Sequence, residues 1–208
     1  SPLDVEHFAS DGASQRRVTL RDGSVVDLNA GSAIDVQWVA GERRLGLRSG
    51  EAHFQVAPDK ARPFIVAAGG ISVRAVGTAF QVQLAAAAVA VVVTEGTVSV
   101  QRVAAAASSR SQVDVSPAAV LTVNERTVVP VTPAGEADVP AAPQVERVSA
   151  EQLRALLAWQ DPVVTFNDTP LRDVVMQFNR RNQTQLTLGE RELGERRIGG
   201  VIALDQVE

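Results

Sequence analysis

From Arg17 onward, apolar and polar residues alternate with a period of two, the pattern of half-buried strands. Val18 and Leu20 lead into Asp22-Gly23, and Val26 and Leu28 follow. An Asp-Gly pair between alternating runs predicts a hairpin with a type I′ turn, whose two central residues both take positive φ. Asn29 to Ser32 reads as a second turn and Ala33 to Val39 as the next strand. Residues 1–16 are polar and aperiodic and read as a tail.

A loose repeat follows. LRDGSVVDL, LRSGEAHFQV, RAVGTAFQV and VTEGTVSV each place an apolar run on both sides of a glycine. Gly23, Gly50 and Gly77 stand 27 residues apart, and Gly96 breaks the rhythm. This period suggests stacked strand–turn–strand units, a solenoid or a rolled sheet. An antiparallel meander with glycine turns fits as well. After Gly50 the apolar positions are Ala52, Phe54 and Val56; after Gly77 they are Phe80, Val82 and Leu84. A strict solenoid would keep one phase, so the expectation is an irregular one. The alanine patches Ala85–Ala88 and Ala104–Ala107 read as loops, being too short to nucleate helix. Further strands are expected around Val113–Val115, Val120–Val123 and Val128–Val131.

The texture changes after Pro130. The four prolines from Pro130 to Pro143 mark a linker, taken as 132–148, between a β-rich domain over 17–131 and a small domain over 149–208. Ser149 with Gln152 is a capping-box match, and Leu153, Leu156 and Leu157 give the following helix one apolar face. Val163 to Phe166 reads as a strand. Pro170 is placed at the first position of a second helix, where Leu171, Val174, Val175 and Phe178 form a stripe. Gln185–Leu188 and Ile198–Leu204 read as the closing strands. The chain is therefore expected to be mainly β, with a β-α-β-β ending whose sheet is incomplete. An open edge there invites pairing with another chain.

Composition narrows the functions. Aromatic residues make up 4% of the chain and tyrosine is absent, which disfavours glycan or single-stranded nucleic-acid platforms built on stacked rings. A net charge of −4 argues against phosphate-backbone binding. Cysteine is absent, so neither disulfides nor thiolate metal sites arise. No apolar run reaches the eighteen or so residues of a membrane span, and no signal peptide opens the chain. Lys60 is the single lysine among 20 basic residues, which fits a high-GC bacterial coding sequence.

Candidate chemistry is sparse. His7 and His53 are the only histidines. His53 alternates with Ala52 and Phe54, which points it outward from a strand without clustered metal partners. Asp22, Asp27, Glu51 and Glu95 adjoin turns or strand edges, where turn-forming and solubilising roles account for each. Gly69-Gly70 lacks phosphate-loop spacing and reads as a turn. Ser24, Ser32 and Ser49 sit in no nucleophile-elbow frame. Trp38 and Trp159 read as core. No catalytic, cofactor or metal residue is expected, and the chain reads as a non-enzyme.

The series VTLRDGSVVDLNAGSAI, GEAHFQVAPDKARPFIV, VRAVGTAFQV and VTEGTVSV resembles the periplasmic region of FecR-type transmembrane anti-sigma regulators. Trp159 followed by FNDTPLRDVVMQFNRRNQTQLTL is similar to the short N-terminal domain of secretins and TonB-dependent receptors, the STN domain. The resemblance implies a periplasmic sensor belonging to a single-pass inner-membrane protein. Its implied partner is the signalling domain of a TonB-dependent outer-membrane receptor for siderophore or haem uptake. An extracytoplasmic-function sigma factor would be held only through a cytoplasmic segment that this chain lacks. Gln185, Leu186, Thr187, Leu188, Ile198, Val201, Ile202 and Leu204 are the candidate partner-binding residues, as two strand edges. Self-association through the same edges, or a structural or glycan-binding envelope domain, stands as the alternative.

Overall fold

The computed structural model describes residues 5–103, 119–131, 143–160, 163–181 and 185–203. Two groups of strands share one long strand, β5 (Glu42–Gln55), and form a 13-stranded sheet folded over on itself. The first layer holds β1 (Val5–Ala9), β4 (Ala33–Val39), the start of β5, β6 (Phe64–Ala68), β7 (Ile71–Ala75), β10 (Thr97–Arg102) and β11 (Ala119–Thr122). The second holds β2 (Arg16–Thr19), β3 (Val25–Leu28), the end of β5, β8 (Ala79–Leu84), β9 (Ala88–Glu95), β12 (Glu125–Pro130) and β13 (Val145–Arg147). Among the described residues all pairings are antiparallel except β5 with β6.

This is the rolled sheet rather than the stacked solenoid. The phase change that argued against strict repetition follows from antiparallel pairing. Phe54 lies opposite Phe80 and Ala52 opposite Val82, so both sets face the core together. Phe54 stacks on Phe80 at 5.2 Å and meets Phe64 edge-on at 5.9 Å. With so few rings, valine and leucine from both layers fill the remaining interior, each fully buried side chain contributing roughly 1.5–3 kcal/mol.

Three glycines of the rhythm, Gly50, Gly77 and Gly96, mark where the chain changes layer, whereas Gly23 turns the β2–β3 hairpin within the second layer. At Gly50 β5 itself passes from the first layer to the second, so the two runs around it are one strand. Gly50 has φ +76°, and a Cβ there would sit 2.3 Å from Ser32 Oγ. Ser32 Oγ donates to the Glu51 carbonyl at 2.9 Å and accepts from its N–H at 2.8 Å, which pins the bend. From Gly50 to Gly77 the chain lays one strand in the second layer and a hairpin in the first. From Gly77 to Gly96 it lays only the hairpin β8–β9. The shorter circuit breaks the repeat.

The Asp22-Gly23 turn differs from the expectation. Only Gly23 has positive φ, and Leu20 pairs with Ser24 around Arg21, Asp22 and Gly23. This is a three-residue loop with its last residue left-handed. Such a loop needs positive φ only at Gly23, and the Asp22 carboxylate accepts from Ser24 and, at 2.6 Å, from Arg43. Both residues at positive φ occur instead at Gly69-Gly70, the β6–β7 turn. Arg43 is buried beside Phe64 and donates to the Ala57 and Arg62 carbonyls, holding the loop that returns the chain to the first layer.

Val5–Ala9 is a strand, not part of a tail: β4 supplies its ladder, and His7 meets Asp35 across it at 2.6 Å. Val145–Arg147, read as linker, adds an edge strand to β12. Expected strand Val113–Val115 and loop Ala104–Ala107 lie outside the described residues.

The ending is β-α-α-β. β14 (Val163–Pro170) pairs with β15 (Arg197–Ala203), and α2 (Leu171–Arg181) and α3 (Arg191–Glu195) lie between them in sequence. Phe166, Val174 and Phe178 make its small core, with Leu171 and Ile198 packed against it. Pro170 ends the strand instead of opening the helix, and the Leu171 N–H is taken by the Arg196 carbonyl.

Candidate functional site

The second layer turns an unusual outer face to the rest of the chain. In a strand, residues alternating with core positions point away from the core. Asp27, His53 and Gln81 occupy such positions and stand side by side across β3, β5 and β8. All three are nonetheless buried, His53 to 4% exposure and Gln81 to 3%. Arg17 on β2 extends the row, its Nε donating to Asp27 at 2.7 Å.

The cover comes from α1 (Ala150–Leu157) and the turn after it. Ser149 caps this helix with the anticipated reciprocal bonds to Gln152. No α1 side chain is fully buried, so packing alone holds it weakly. Hydrogen bonds fasten it. Trp159 Nε1 donates to Gln81 Oε1 at 3.2 Å, and Gln81 Nε2 donates to the Leu156 carbonyl at 3.4 Å. Gln15 Nε2 donates to the Trp159 carbonyl at 2.6 Å. Gln81 Nε2 also donates to Glu51 Oε1 at 2.5 Å, and Asn29 donates to Glu51 Oε2 at 3.0 Å.

The electrostatics follow from burial. Burial lifts the Glu51 carboxyl above its usual range, and the bonds from Asn29 and Gln81 only partly offset this. Burial also lowers His53 to about 4, with the Arg17 charge acting in the same sense and Asp27 opposing. The ring is therefore neutral near pH 7, with Nε2 3.2 Å from Thr94 Oγ1.

Beside α1 this face opens into a cleft of about 630 Å³. His53, Ala57, Pro58, Thr94, Leu157 and Gln160 are among the residues that line it. Among the described residues no three His, Cys, Asp or Glu side chains gather as a metal-binding set. No described helix is long and apolar enough to cross a membrane.

The candidate partner residues lie elsewhere. Gln185–Leu188 is not a strand: Asn179 on α2 accepts from the Leu186 N–H and donates to its carbonyl. An amide side chain thus takes the place of a neighbouring strand. Leu186 is 39% exposed. Ile198 is half-buried against the small core, and Val201 and Ile202 continue β15 opposite Thr165 and Val164. Leu204 lies outside the described residues. Gln81, Gln15, Thr78 and Gln160 escaped the sequence reading. Each sits where an exposed polar residue would be unremarked, and no local signal marks it as covered.

Fold and face together define a class: a rolled β-domain that carries a clasped helix and a small α+β unit. Residues 7–99 match the model of the FecR protein family. Two crystal structures of a candidate anti-sigma factor from Parabacteroides distasonis share the fold. Each is 24% identical with a TM-score of 0.59, over 97% of this chain and 86% of the other. No curated protein matches the chain.

Proposed function

We propose that the chain is the periplasmic sensor portion of a transmembrane anti-sigma regulator in cell-surface signalling. It binds the signalling domain of a TonB-dependent receptor for siderophore or haem uptake, and its signal reaches an extracytoplasmic-function sigma factor. The match of residues 7–99 to the FecR family carries this reading, and the shared fold over nearly the whole chain supports it. It is a non-catalytic role, fulfilled by surfaces.

The rolled domain serves as a rigid stem in this reading, and β15 is the receptor-facing edge. Among the described residues β15 pairs only with β14, which leaves one side of its ladder open to a partner strand. Ile198, Val201 and Ile202 lie on it. Leu186 contributes only its exposed side chain, since its backbone groups are already bonded to Asn179.

Titration of the chain with the isolated receptor signalling domain, followed by calorimetry, tests the reading. Saturable binding is expected. Absence of heat at partner concentrations on the order of 100 µM overturns it.

A further inference from the structure

Native proteins pair nearly all their buried polar groups, so orphans that gather in one place call for a partner. His53 Nδ1, Thr78 Oγ1 and Gln160 Nε2 are buried and unpartnered among the described residues, and all three residues line the cleft beside α1. They reach it from three separate pieces of chain: β5, the lead-in to β8, and the turn after α1. His53 and Thr78 are 4% and 6% exposed, so their orphan atoms are not ordinary solvated surface.

We propose that this cleft binds an uncharged, extended peptide segment with small apolar side chains, whose backbone amides complete the hydrogen bonds of His53, Thr78 and Gln160. The Gln160 amide nitrogen is a donor and needs a carbonyl. The Thr78 hydroxyl and the neutral His53 ring can each donate or accept, which suits the alternating C=O and N–H groups of a peptide backbone. Val25, Val56, Ala57, Pro58, Ala79 and Leu157 supply the apolar lining for small side chains.

The alternatives fit less well. No Lys or Arg lines the cleft and Glu95 does, which disfavours an anion; the Arg17 guanidinium near His53 is committed to Asp27. No Phe, Trp or Tyr ring lines it, which removes the stacking surface a sugar would use. Its volume lies within the range of about 300–1,000 Å³ typical of ligand sites. Leu157 of α1 and Gln160 after it line the cleft together with strand residues, so a bound segment also tightens α1 against the sheet. This site is separate from the β15 edge and does not depend on the receptor reading.

The test uses the blocked tetrapeptide acetyl-Ala-Val-Ala-Val-amide, with maltose and inorganic phosphate as comparisons, followed by NMR on the whole chain. Saturable shifts are expected at the His53 ring and the Thr78, Thr94 and Gln160 amides with the peptide alone. Thr78→Val and Gln160→Leu should each weaken binding about tenfold, the equivalent of one lost hydrogen bond. Thr78→Val should also raise the thermal midpoint of the unliganded chain, because it removes an orphan hydroxyl at nearly constant shape. If Thr78→Val does not fold, Gln160→Leu decides. The proposal is overturned if the peptide produces no shifts at these positions. Equal or stronger shifts with maltose or phosphate, or unchanged peptide affinity in the variants, overturn it as well.

Discussion

At the scale of single residues, the fold depends on a few positions where the backbone has no alternative. Gly50 is the clearest. Its φ of +76° costs a non-glycine residue roughly 1–2 kcal/mol. The added Cβ would also lie 2.9 Å from Ser32 Cα, which is backbone and cannot swing aside. Gly50→Ala is therefore expected to destabilise the chain by about 3 kcal/mol or more. Chemical denaturation checks this, with a loss under 1 kcal/mol refuting the corner role. The sequence makes the glycines visible as a rhythm, yet it cannot say which ones fold a hairpin and which ones turn a strand into the other layer. That depends on Ser32, eighteen positions away in sequence, sitting against the bend. The Asp22-Gly23 turn shows a similar limit: its Asp22 carboxylate is held by the buried Arg43, which no local pattern connects to it.

At the scale of elements, Ala33–Val39 and the capped helix at Ser149 are legible because their signals are local: alternation in one, reciprocal side-chain caps in the other. Gln185–Leu188 has the alternation of a strand without a strand beside it, and the Asn179 side chain takes its backbone bonds. Val5–Ala9 has the opposite history. It is polar enough to pass for a tail, but β4 pairs with it along its whole length. The α1 clasp is an element-level device of the same kind, for its anchor is Gln81 on a distant strand. Gln81→Leu removes the acceptor of the Trp159 indole and two donated bonds, each contributing about 1 kcal/mol. Amide hydrogen exchange over 150–160 should accelerate at least tenfold while the central strands β5 and β8 stay protected. Unchanged exchange in the helix would show that packing alone holds it.

At the scale of the whole molecule, acid stability integrates the buried groups. His53 titrates near 6.5 when unfolded and about 4 when folded, so its contribution is full above pH 6.5 and is lost as pH falls towards 4. The loss is on the order of 3 kcal/mol at most. Glu51 acts in the opposite sense: its raised carboxyl favours the folded state as it takes up a proton, softening the fall. Asp22 enters lower. Burial raises its carboxyl, but the bonds from Ser24 and Arg43 outweigh this, so its contribution is lost only below its ordinary 3.8. Thermal midpoints should thus decline between pH 6.5 and 4, and His53→Gln should flatten that limb while leaving the fall below pH 3.8. An identical slope in the variant would assign the limb elsewhere. The sequence alone determined the strand-rich character, the positions of the turns and the likeness of residues 7–99 to the FecR family, because alternation and glycine spacing are properties of adjacent residues. Tertiary structure alone decided the layer of each strand, the burial of the Asp27–His53–Gln81 row and the cleft beside α1. Those depend on which distant segment comes to lie over a face, and a pattern of period two reads the same whether that face meets water or a helix.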